Sequence, residues 1–188
     1  MKTRCIQALF AFAILMFAAC GSGNSKHAVP ISGSDVGVEQ QTERADSADQ
    51  GLVISFSMAD MYGNEVSVTD EFARHEITVI DFWASWCGPC RQEMPNLVNT
   101  YNKYKDKGLG IVGVSLDEDK AQWTDAVKSM NMTWTQLSDL QGWHNSAAQM
   151  YGIQAIPFTI IVDKEGKVLE AGLRGEELDM YISSKLEK

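Results

Sequence analysis

The chain has 188 residues, 45% of them hydrophobic and 22% charged, with four cysteines and a formal net charge of -9. That length and apolar content support one ordinary domain core, with little left for a second. The acidic balance excludes the electrostatic footprint of a nucleic-acid binder or of a protein adsorbed on an anionic membrane surface.

Lys2 and Arg4 precede an apolar run from Ile6 to Ala19, which is short for a bilayer span and ends in small residues. This is the design of a secretory signal peptide over residues 1–19. The run closes with Phe17-Ala18-Ala19-Cys20-Gly21, which resembles a bacterial lipobox with Phe17 in place of the usual Leu. Cleavage before Cys20 would make it a lipid attachment point; ordinary cleavage near Ala19, with Cys20 incidental, is the alternative. From Gly21 to about Gly51 the chain is mostly Ser, Gly, Gln, Asp and Glu, too polar to offset its ordering entropy by burial. Residues 20–50 therefore read as a flexible tether with a reach of about 30 Å. His27 lies in it as a passenger. Residues 51–188 are expected to fold.

Leu52 to Ser57 and Glu65 to Val68 flank Asp60-Met61-Tyr62-Gly63-Asn64, which predicts a β-hairpin turning at Gly63-Asn64. Ile77 to Trp83 is an apolar, β-branched run that predicts a buried strand. It leads to Trp86-Cys87-Gly88-Pro89-Cys90 and a helical pattern carrying Met94, Leu97, Val98, Tyr101 and Tyr104, with Pro95 inside it. Lys107-Gly108 stops that helix, and Leu109 to Leu116 is a second buried strand. Asp117-Glu118-Asp119 opens a helix striped by Trp123, Ala126, Val127 and Met130. Trp134 to Leu137 reads as a short strand, and Trp143 to Tyr151 as a short helix ended by Gly152. Phe158 to Val162 and Lys167 to Ala171 form a hairpin, and Glu176 to Leu186 a final helix. This order predicts an α/β fold, a mixed sheet flanked by helices with an N-terminal β-hairpin.

The Cys pair thus falls at a strand-to-helix junction, where unsatisfied N–H groups and the helix dipole favour a thiolate. A reactive dithiol is the first reading. A zinc or soft-metal pair is the alternative, although a closed zinc site needs four ligands and Cys87 and Cys90 are the only cysteines outside the leader and the lipidation site. Asp81 is the one acid in its apolar strand, and burial there should raise its pKa. His75 and His144 have no visible partner and receive no role.

Trp86-Cys87-Gly88-Pro89-Cys90 after a strand, with Met94-Pro95 downstream and Ile156-Pro157 entering a later strand, resembles the thioredoxin superfamily. The lipoprotein-like start and the early hairpin resemble its TlpA/ResA-like branch of exported thiol–disulfide oxidoreductases. The resemblance implies that Cys87 attacks from an exposed helix start and that Cys90 resolves the mixed disulfide. It implies that Asp81 lies beneath Cys90 and takes its proton, and that Glu93 tunes the thiols. It further implies that Trp86 shapes the docking face, and that Ile156 and a cis Pro157 meet the substrate. A Gly-Pro pair between the cysteines is shared with thioredoxin, which lies near the reducing end at about -270 mV.

The implied protein is a monomeric reductant of protein disulfides, with no cofactor beyond its dithiol and no nucleic-acid partner. Cys20 would hold it at the periplasmic or outer surface of a bacterial envelope, where a membrane electron-donor reductase must recharge it. Apocytochrome c is one family substrate, but Ala155-Ile156-Pro157-Phe158 lacks the Glu of dedicated cytochrome-maturation members. Two alternatives stay open: a thiol peroxidase, whose family places Thr-x-x-Cys where this chain has Ala84-Ser85-Trp86-Cys87, and a non-enzymatic Cu(I) chaperone.

Overall fold

In the computed structural model of the chain, which describes residues 51–187, the run Ile77–Trp83 forms strand β3 with every residue buried. The signal peptide, Cys20 and the tether lie outside the described residues. We number the strands β1 (Ser57–Ala59), β2 (Glu65–Ser67), β3, β4 (Leu109–Ser115), β5 (Thr135–Leu137), β6 (Phe158–Asp163) and β7 (Val168–Ala171). The helices are α1 (Val68–Phe72), α2 (Gly88–Tyr104), α3 (Lys120–Ser129), α4 (Ser146–Met150) and α5 (Gly175–Leu186).

Strands β3 to β7 form one mixed sheet in the order β5-β4-β3-β6-β7, with β3, β4 and β5 parallel and β6 and β7 antiparallel to their neighbours. Both central strands are buried along their whole length and mostly apolar because helices cover both faces. Helices α2 and α3 are successive crossovers from β3 to β4 and from β4 to β5, and right-handed crossovers put them on the same side. They are joined there by α5: Thr100 Oγ1 donates to Asp179 at 3.2 Å, and Lys103 Nζ pairs with Asp179 at 2.9 Å. Tyr101 of α2 meets Trp134, just after α3, edge to face with ring centroids 5.2 Å apart. The second group is the hairpin with α1 and α4, where Phe56 lies 6.0 Å from Tyr151 and Asn145 Nδ2 donates to Met58 Sδ at 3.5 Å.

The hairpin is shorter than its apolar pattern suggested. Asp60 closes the turn, its Oδ1 accepting from the N–H groups of Tyr62 and Asn64 at 2.8 Å each, while Gly63 takes φ +88°. Val68 does not continue the second strand but starts α1, because Val68 and Phe72, one helical turn apart, can then both be buried. The hairpin forms its own two-stranded sheet; the segment before it is stitched to the β7 edge of the main sheet, and the hairpin itself to the β5 edge. Ile54 N–H donates to Gly166 O and Val168 N–H to Leu52 O at the β7 edge, and Ser138 N–H donates to Ala59 O at the β5 edge. Covering both edges blocks strand addition there.

The helix expected over Trp143 to Tyr151 is interrupted. Gly142–His144 is a short 3-10 turn, Asn145 leaves helical geometry at φ -50° and ψ 127°, and its side chain caps α4 by accepting from Ala148 N–H at 3.0 Å. Register fixes what meets at the carboxyl end of the parallel strands: Trp83 pairs with Ser115 and Phe82 with Phe158. The loop to Cys87, the Asp117 turn and Ile156-Pro157 therefore emerge at one end of the sheet.

Candidate active site

Cys87 is the N-cap of α2, extended at φ -79° and ψ 103°, and Pro89 sits in the first turn where no helical donor is required of it. Cys87 and Cys90 are joined as a disulfide, S–S 1.98 Å, with their Cα atoms 5.3 Å apart. The Cys90 N–H donates to Cys87 Sγ at 3.1 Å. That contact fills one of the four orphan donors of the helix start and points a partial positive charge at the first sulfur. The expected exposure of Cys87 is not found: it is 5% exposed and Cys90 1%. Trp83, Ala84 and Met94 belong to the same buried cluster, so the dithiol is the rim of the core rather than a projecting tip.

The turn before Cys87 is held from β4. Asp117, buried just past the end of β4, accepts from Ser85 N–H at 3.0 Å, from Ser85 Oγ at 2.6 Å and from Ser115 Oγ at 2.6 Å. The sequence marks Asp117 only as a helix-start acid; its grip on Ser85 is visible only when β3 and β4 are in register. Above this turn Trp86 is 52% exposed, and its ring centroid lies 6.4 Å from that of Trp143, which is 41% exposed. Trp143 is a second residue that the sequence pattern does not single out.

Asp81 stands mid-strand between Gly113 and Thr159, 4% exposed, and its carboxyl has no hydrogen-bond partner among the described residues. Burial away from water, and then the charge of Glu93, push its pKa from the ordinary 3.8 up to about 7. Glu93 lies one turn beyond Cys90 on α2, where its Oε1 accepts from Gly175 N–H at 2.6 Å and its Oε2 from Asn96 Nδ2 at 3.3 Å. It thereby ties the dithiol helix to the first residue of α5. Pro95 leaves the Arg91 carbonyl without a helical donor, since its ring carries no N–H.

The Ile156–Pro157 bond is cis, and both residues are half-buried immediately before β6. Neither the N–H nor the carbonyl of Ile156 is paired among the described residues. Behind the site Trp83 Nε1 donates to Gln136 Oε1 at 3.1 Å, and Gly113 makes room for that amide: a Cβ there would lie 2.3 Å from Gln136 Oε1. Among the described residues no group of three or more His, Cys, Asp or Glu could hold a metal ion. The arrangement offers two-electron thiol–disulfide exchange: one sulfur poised at a helix start, a second within bonding distance, and a buried carboxyl on the preceding strand whose raised pKa of about 7 lets it gain or lose a proton near neutral pH.

Comparison with known proteins agrees with this chemistry. A family model described as Redoxin matches residues 47–185. The thiol-disulfide oxidoreductase ResA of Geobacillus thermodenitrificans is 30% identical over 146 residues, which is 76% of this chain and 81% of that protein. The ResA of Bacillus thuringiensis is 28% identical over 134 residues, 71% of this chain and 74% of that protein. The thioredoxin domain of a thiol-disulfide oxidoreductase from Bacteroides vulgatus superposes with a TM-score of 0.66 at 33% identity, covering 74% of this chain and 99% of that one. A thiol-disulfide oxidoreductase from Bacteroides fragilis gives a TM-score of 0.65 at 30% identity, covering 70% and 97%. By the span of that match and the identity of these relatives, the chain belongs to the redoxin family, among its ResA-like members, and is a thiol–disulfide oxidoreductase on a thioredoxin-like fold.

Proposed function

We propose that the protein is an exported, membrane-tethered reductant of protein disulfides, acting through a mixed disulfide on Cys87. The observation that carries this reading is the Cys87–Cys90 disulfide at the start of α2, where the Cys90 N–H donates to Cys87 Sγ at 3.1 Å; the strand that leads to it carries the buried Asp81, whose pKa burial pushes up to about 7. In the reduced enzyme the Cys87 thiolate attacks one sulfur of a client disulfide. That S–S bond breaks, a Cys87–client bond forms, and the other client sulfur leaves as a thiolate that takes a proton from water. Cys90 then gives its proton to Asp81 and attacks Cys87 Sγ; the Cys87–client bond breaks, the second client sulfur leaves as a thiolate that takes a proton from water, and the Cys87–Cys90 disulfide remains. Two electrons have passed from enzyme to client. Glu93 keeps Asp81 in a range where it can accept and return that proton, since a lone carboxylate partner raises it further than burial alone.

Ile156 supplies an unpaired backbone edge on which an extended client segment can add as a strand, next to Pro157, and Trp86 gives the client an exposed aromatic face. Lipid on Cys20 and a tether over residues 20–50 would hold this domain near the envelope membrane, within reach of a membrane reductase that returns the electrons. Oxidised haem-attachment cysteines of apocytochromes c are one client class, although the Ala155-Ile156-Pro157-Phe158 loop lacks an acid.

The reduced protein should reduce insulin disulfides with dithiothreitol as recharging agent, and equilibration in dithiothreitol or glutathione buffers should give a potential near that of thioredoxin, about -270 mV. A potential near that of DsbA, about -120 mV, would make the protein an oxidant and overturn the reductant reading. Labelling with a radioactive fatty acid that survives Cys20→Ser would remove the lipid anchor from the account.

A further inference from the structure

We propose that the cleft between Trp86 and Trp143 reads the residue beside the client disulfide and selects a basic one. The inference rests on the reading that clients are proteins or peptides with disulfides. The two indoles are exposed, tilted at 54°, and the first of them is bonded to Cys87 in sequence, so a client disulfide at Cys87 places its flanking side chains at this cleft. The cleft encloses about 330 Å³, with Leu116, Glu118, Asp119 and Gln122 completing its walls.

Its charge is one-signed. No basic side chain lines it: Lys120, which directly follows Asp119 as the first residue of α3, is not among the lining residues, and Arg91 Nη1 is turned to the Ser85 carbonyl at 3.4 Å. Asp117 is saturated by the Ser85 and Ser115 donors, which leaves Glu118 and one oxygen of Asp119, whose other oxygen caps α3 by accepting from Gln122 N–H at 2.9 Å. The Glu118 carboxylate makes no hydrogen bond or ion pair among the described residues. It rests against Gly142: that residue has φ +57°, and a Cβ on it would lie 2.5 Å from Glu118 Oε1. Gln149 Nε2 donates to the Trp143 carbonyl at 2.7 Å and fixes the adjoining turn. An unpaired carboxylate lining the same cleft as two indoles suits a Lys or Arg side chain, whose apolar stem can lie on the rings while its charge meets a π-face and the carboxylate.

The test uses two synthetic peptide disulfides that differ only in carrying Lys or Glu on each side of the attacked cysteine. Each rate with the reduced full-length protein is divided by the rate of the same peptide with dithiothreitol, which removes the effect of charge on the disulfide itself. The Lys peptide should react about tenfold faster at low ionic strength, and the ratio should fall toward unity at about 1 M salt. Trp143→Ala, which changes no charge, and Glu118→Gln should each cut the ratio about threefold. Glu165→Gln removes the same charge in the turn after β6, at the sheet end opposite the site, and should leave the ratio as it was. Equal rates for both peptides, a preference for Glu, or a wild-type preference that salt does not weaken would overturn the inference alone. Reduction of hydroxyethyl disulfide but of neither peptide would instead overturn the function on which it rests.

Discussion

Replacing Asp81 by Asn keeps the shape of the side chain and removes its titration, so the pH dependence of stability isolates what burial does to this carboxyl. Its folded value of about 7 lies above the ordinary 3.8 because burial, and then Glu93, oppose the charge. A carboxyl raised in the fold binds more protons folded than unfolded between those two values, so the contribution of Asp81 to stability is fully present below about pH 4 and is lost as pH climbs to about 7. At 1.36 kcal/mol per pH unit, the gap between 3.8 and about 7 corresponds to a loss of about 4 kcal/mol, the upper bound for a site whose surroundings cannot relax. Urea unfolding of the oxidised proteins between about pH 4 and about pH 8.5 measures it, because the disulfide keeps both thiols from titrating. The stability difference, Asp81→Asn minus wild type, should rise in favour of the variant across that window, by at most about 4 kcal/mol, and then level off. Parallel curves at all pH values would refute a buried, neutral Asp81 and the proton transfer assigned to it.

Glu93→Gln should lower the midpoint of that same transition, since the Glu93 charge is the second cause of the shift, while leaving it above the ordinary carboxylate value because burial is the first. An unmoved midpoint would return Glu93 to a purely helical role. Asp117→Asn should cost about 2 kcal/mol in urea unfolding, because three donors from Ser85 and Ser115 converge on an acceptor of which only half remains; a loss below about 0.5 kcal/mol would contradict that account. Gly166→Ala should cost about 2 kcal/mol, since Gly166 takes φ +82° and a Cβ there would lie 2.7 Å from the Ile54 carbonyl oxygen. Amide exchange at Ile54, whose N–H donates to Gly166 O at 2.8 Å, should quicken in the variant; unchanged exchange would show that the β7 edge seam is not under strain there.

What was legible in the sequence was whatever short-range chemistry decides. The strand over 77–83 announced itself by an apolar, largely β-branched run, Asp81 by being the one acid within it, and Cys87 and Cys90 by their place where that run gives way to a helical pattern. Helix α1 was not legible, because Glu65 to Val68 alternates like a strand and only the burial of Val68 and Phe72 together rewards a single helical turn. The break after His144 depends on Asn145 acting as a cap, which competes with helix continuation only in its actual surroundings. Contacts made by register or by crossover, such as Asp117 with Ser85, Glu93 with the start of α5 and Trp86 with Trp143, join residues distant in the chain and leave no local pattern. The near-complete burial of Cys87 likewise follows from packing around the helix start, not from its position as the first cysteine.

The central claim, that Cys87 attacks client disulfides and Cys90 releases them, is tested most directly by Cys90→Ala in the reduced state mixed with oxidised insulin and analysed by intact and peptide mass spectrometry. The account predicts a stable insulin adduct on Cys87, released by dithiothreitol, and none on the matching Cys87→Ala protein. An adduct on Cys90 in Cys87→Ala, or no adduct on Cys87, would contradict it.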